Sequence, residues 1–105
     1  MSNEEFKKVV ENRFRFISDL LISKSEEYSD GVDKLYNFKR AGQINKSTPE
    51  RALWGFQLKH YTSLSDIIDN IDKGIYPNTD KLQEKISDEI SYLLLLEALI
   101  QENKQ

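Results

Sequence analysis

Long segments of this chain repeat their apolar residues every three to four positions, and no segment alternates them as a strand would. At about 100° per residue, Phe6, Val10, Phe14, Ile17, Leu21 and Tyr28 fall on one stripe, which predicts a first helix from about Glu4 to Glu27. Leu53, Phe56, His60, Leu64, Ile67 and Ile71 form a second stripe, and Leu82, Ile86, Ile90, Leu93 and Ile100 a third. Helix boundaries carry their own signals. Ser47-Thr48-Pro49-Glu50 opens a helix, either through a Ser47 and Glu50 capping box or with Thr48 as N-cap before a proline at the first helical position. That helix runs to about Asp72, before Gly74 and Pro77 break the chain. Asn78 or Thr79 caps the last helix, about Asp80 to Glu102. Between Asp30 and Ile44, Tyr36-Asn37-Phe38-Lys39-Arg40-Ala41 predicts a short helix ending at Gly42. The expected fold is all-α, a small bundle of three long helices plus a short one. A chain of 105 residues has the size of one domain, so residues 1–105 are expected to form a single one.

The last helix carries a further stripe, Tyr92, Leu95 and Leu99, nearly opposite its first, so both faces ask for cover. In so small a bundle that pattern points to a homo-oligomer with the second stripe at the subunit interface. Gly55, in mid-helix, suggests close approach by another helix or a ligand, because glycine there costs about 1 kcal/mol relative to alanine.

Composition removes most catalytic chemistry. Zero Cys excludes disulfides, thiolate metal sites and cysteine nucleophiles, and a single His excludes multi-histidine metal sites. A net charge of −3 is the opposite of the basic footprint of a bulk nucleic-acid binder. Charged residues interrupt Met1 to Leu20, and the longest apolar run, Tyr92 to Leu96, is far short of a membrane span of roughly 18 residues. A soluble, cytoplasmic protein without a membrane partner is expected.

Carboxylates, hydroxyls, basic side chains and one imidazole remain. His60 sits within its helix's apolar stripe and should point inward, either as a core histidine bonded to a carboxylate or carbonyl or as a ligand-facing donor or base. Glu89 and Glu97 fall on the inner side of the last helix. They need cations, hydrogen bonds or each other, with Arg13 and Lys24 as the obvious partners, or else form part of a Mg²⁺ or ligand site. Asp88 projects toward the second stripe, with Glu84 and Tyr92 one turn away on either side. Tyr28, Tyr36 and Phe38 lie among Asn37, Lys34, Lys39 and Arg40, a mixture that suits a base on a ring with its phosphate on a cation, or a loop whose aromatics plug the bundle's end. Trp54 and Tyr61 occupy the flank of the third helix.

The order of Glu27-Tyr28-Ser29, Tyr36-Asn37-Phe38, Ser47 to Gly55, Leu58-Lys59-His60 and Glu84 to Leu93 resembles small phage and prophage proteins related to the MazG-like nucleotide pyrophosphohydrolases, including nucleotide-modification-associated domains. The similarity runs from roughly Leu20 to Leu99. It implies an oligomeric all-α bundle that binds a nucleotide, often with Mg²⁺ held by carboxylates from two helices to activate water. Position by position, the acidic motif of the last helix falls on Asp88 with Glu84 or Glu89, that of the first on Glu26 or Glu27, and the lysine of the third helix on Lys59. The chain departs from the pattern in lacking E-E-x-x-E on the first helix and in spacing Glu84 and Asp88 four apart. Those departures favour binding over hydrolysis.

The expectation is therefore a phage-type protein of the host cytoplasm that holds a free or signalling nucleotide at a subunit interface, sequestering it against host defence. Its ligand-binding candidates are Tyr28, Asn37, Phe38, Lys39, Arg40, Trp54, Lys59, His60, Asp88 and Tyr92. The alternatives are a Mg²⁺-dependent nucleoside triphosphate pyrophosphohydrolase with Glu27, Asp88 and Glu89 as metal ligands, and a non-catalytic interaction module.

Overall fold

A computed structural model of the protein describes residues 1–23 and 33–104. Four α-helices and no strand lie within the described residues, so the fold is all-α, as the periodicity predicts. They are α1 (Asn3–Ser18), followed by a π-helical turn (Asp19–Ser23), α2 (Tyr36–Ile44), α3 (Pro49–Asp72) and α4 (Thr79–Asn103). The chain divides into two compact units, Met1–Asp33 and Lys34–Gln105.

In the first unit, the Ser2 hydroxyl accepts from the Glu5 amide at 3.1 Å and the Glu5 carboxylate accepts from the Ser2 amide, so two otherwise unmatched donors are satisfied at the start of α1. Ile17 is buried, but Phe6 and Phe14 of the same expected stripe are exposed. The α-helix gives way at Ser18 to a wider π-helical turn that continues the helical path to Ser23. The last four residues of that expected helix lie outside the described residues, as does Tyr28 of its stripe.

The second unit is built on local signals that the chain obeys closely. Thr48 caps α3 by accepting the Arg51 amide at 3.1 Å, with Pro49 at the first helical position. The end of α3 is a Schellman motif. Gly74 takes the left-handed conformation at φ 82°, its amide donates to Ile71 at 2.8 Å, and the Ile75 amide donates to Asn70 at 2.9 Å. Asn78 then caps α4 by accepting the Lys81 amide at 2.8 Å. Where α2 meets the start of α3, Gly42 is buried and a methyl group on it would lie 3.0 Å from the main chain at Ser47 and Pro49. Only glycine lets the two segments come this close.

The core gathers Leu35, Phe38, Leu53 and Leu99, with Tyr92, Leu95 and Leu96 packed against it. This reverses the expected roles of the two stripes on α4. Tyr92, Leu95 and Leu99, expected at a subunit interface, face the core of their own chain, whereas Leu82, Leu93 and Ile100 are exposed. The polar residues in register with the inner stripe explain the choice: Asp88 faces His60 and Glu102 pairs with Lys39. Turning the other stripe inward would bring in Glu97, which instead stays exposed. A similar correction applies to α3, whose inner side is Leu53, Gln57, His60, Leu64 and Ile67. Gln57 is 4% exposed, while Phe56, placed on the stripe from the sequence, is 49% exposed. No helix among the described residues is long and apolar enough to cross a membrane.

Candidate functional site

Midway along the seam between α3 and α4, the apolar packing is interrupted by polar side chains. His60, on the inner side of α3, brings its Nδ1 to 3.5 Å from Asp88 Oδ2, an ion-pair distance when the imidazole is doubly protonated. Its ring lies against Tyr92 with centroids 4.6 Å apart and planes tilted by 38°. Asp88 and Tyr92 are one turn apart on α4, so they present carboxylate and phenol to the same imidazole. Phe38 of α2 meets Tyr92 edge to face at 6.0 Å, and Phe56 meets Phe38 in the same way at 6.1 Å. Burial, and then the neighbouring Asp88 carboxylate, push the Tyr92 phenol above its ordinary value, since both disfavour the phenolate.

One turn toward the start of α3, Gln57 Nε2 donates to Glu89 Oε1. The other oxygen of Glu89 and the hydroxyl of Ser91 are buried without a hydrogen-bond partner among the described residues. Successive residues leave a helix about 100° apart, so Asp88 and Glu89 part toward different partners, His60 and Gln57. Mg²⁺ takes near-octahedral oxygen coordination. Among the described residues no three His, Cys, Asp or Glu side chains gather into such a set, and Glu27, the third ligand expected, lies outside them.

Of the expected ligand-binding residues, Phe38, His60, Asp88 and Tyr92 come together here. Phe38 does so as a buried residue of the core cluster. Lys39 is paired with Glu102, Arg40 reaches Gln43 at 3.5 Å, and Asn37 and Lys59 are exposed. Trp54 stands apart from His60, in a groove of about 260 Å³ lined also by Thr48, Glu50, Arg51 and Leu96. Tyr28 lies outside the described residues. Glu84, one turn before Asp88, is exposed and sits 3.8 Å from Lys85. Gln57 and Phe56 were not foreseen in these roles. The signal for Gln57 was present, because 53, 57, 60, 64 and 67 alternate four and three as the inner positions of paired helices do.

Comparison with protein-family models, with curated proteins and with solved structures finds no match to this chain.

Proposed function

We propose that the protein binds a nucleotide or nucleotide-derived signal at the His60, Asp88 and Tyr92 cluster and holds it without cleaving it. The observation that carries this reading is the polar constellation in the middle of a helix seam, where apolar side chains would stabilise the fold better. Desolvating an imidazole and a carboxylate costs free energy that an aliphatic pair avoids. The His60 side chain, 20% exposed, would offer a planar base a ring contact. Asp88 would accept a hydrogen bond from an amino group or a ribose hydroxyl, and the exposed Lys59 beside His60 offers a cation for phosphate. Resemblance to MazG-like proteins of phage supports the same ligand class. The divergent carboxylate spacing supports retention over hydrolysis.

The test is depletion from solution. Purified protein is incubated with Mg²⁺ and a nucleotide panel that includes cyclic and ADP-ribose-type molecules, recovered, and denatured by heat. Intact ligand released in stoichiometric amount is expected, and His60→Ala should weaken binding by at least about tenfold, or about 1.4 kcal/mol, with little change in melting temperature. Accumulation of monophosphate and pyrophosphate, abolished by Asp88→Asn, would replace sequestration with hydrolysis. A panel left undepleted would remove both nucleotide readings and leave an interaction module.

A further inference from the structure

The helix pair α3 and α4 has an uncovered side whose composition is that of a core. Trp54, Tyr61 and Ile68 on α3 and Leu82, Leu93 and Ile100 on α4 are each between 42% and 62% exposed. Helical rotation of about 100° per residue places all six on one side of the antiparallel pair. This is the side on which Gln57 meets Glu89 and Trp54 lies beside Leu96. Half-exposed side chains of this size leave roughly 600 Å² of apolar surface open, at the upper end of the largest patch on a typical monomer and approaching the ~800 Å² each partner contributes to a standard interface.

The α3 part of this side has an internal order that names its occupant. Arg51, Trp54, Leu58, Tyr61, Ser65, Ile68 and Asp72 alternate three and four residues apart, which is the seam pattern of paired helices. All seven are exposed. The stripe therefore forms a second seam behind the one already used against α4. Its apolar centre is uncharged, its start carries Arg51 and its end carries Asp72. Laid antiparallel on a copy of itself, each Arg51 meets the partner's acidic end while the apolar centres coincide. Laid parallel, it sets like charges together. A chain of net charge −3 repels a second copy in general, so a neutral, end-complementary stripe is the place where that repulsion is least.

We infer that α3 pairs antiparallel with α3 of a second copy through this stripe, so that two α3–α4 hairpins close into a four-helix dimer about a two-fold axis. The inference does not depend on the ligand. It moves the interface from the Tyr92, Leu95 and Leu99 stripe to the opposite side of the hairpin.

Light scattering and sedimentation equilibrium of the full chain at micromolar concentration should give twice the 12.3 kDa monomer mass. Tyr61→Lys should raise the dissociation constant at least tenfold with helical circular dichroism retained, because the side chain is 62% exposed within its own chain. Arg51→Asp should weaken the dimer, and Arg51→Asp combined with Asp72→Arg should restore it. A monomer at every concentration would overturn the inference, including the case in which α1 of the same chain covers the stripe. So would a dimer indifferent to Tyr61→Lys but lost in Phe14→Lys. Failure of the charge exchange to restore the dimer would overturn the antiparallel register.

Discussion

Tyr92 ties the core to the candidate site, because its ring packs against the core cluster while its π-face meets His60 and its hydroxyl group feels Asp88. Its phenol is held above the ordinary value of 10.0, first by burial and then by that carboxylate. The folded chain therefore keeps a proton that the unfolded chain surrenders. The associated stability is whole below pH 10 and is lost as pH rises through the folded value. In Tyr92→Phe the decline of stability above about pH 10 should be shallower than in the parent, read from urea midpoints at successive pH values. An identical slope in both proteins would mean that the phenol is solvated as in the unfolded chain.

At the scale of elements, two glycines in neighbouring helices have opposite reasons to be there. Gly42 lies in the last turn of α2, which runs on to Ile44, against the main chain of the α3 start, where a methyl group would be forced to 3.0 Å from Ser47 and Pro49. Gly55, which the sequence suggested as a point of close approach, would place a methyl group with nothing within 4 Å. Gly42→Ala should therefore destabilise by about 1–3 kcal/mol through crowding, and Gly55→Ala should stabilise by about 0.5–1 kcal/mol through helix propensity. Thermal melts of the two variants check both signs at once. Loss of ligand or partner affinity in Gly55→Ala, with stability raised, would show that something outside this chain occupies the space above it.

For the whole molecule, the proposed pairing of α3 with α3 of a second copy would make stability a function of concentration. A dimer that forms only from folded chains adds a mass-action term, so the melting temperature should rise steadily as protein concentration increases from about micromolar to millimolar. The same series in Tyr61→Lys should be flat. Equal melting temperatures for the parent at all concentrations would place its stability wholly within the monomer.

What the sequence determined alone is local. Thr48, Asn78 and the Asn70 to Ile75 turn act on amides within a few residues of themselves, so the start of α3, the start of α4 and the break between them could be read directly. His60 could be assigned to the inner side because every reasonable phase of α3 buries it. The phase itself was another matter, since Phe56 and Gln57 differ by one position, or about 100° around the axis. Hydrophobicity favours Phe56, and only the Glu89 acceptor on α4 gives Gln57 a partner that makes its burial tolerable. On α4 two stripes competed, and the larger one, Leu82, Ile86, Ile90, Leu93 and Ile100, which the sequence favours, is not the one packed on the core cluster. Tertiary structure decided it through His60 with Asp88 and Lys39 with Glu102, pairs separated in sequence by 28 and 63 residues, whose meeting depends on how the helices fold back on one another.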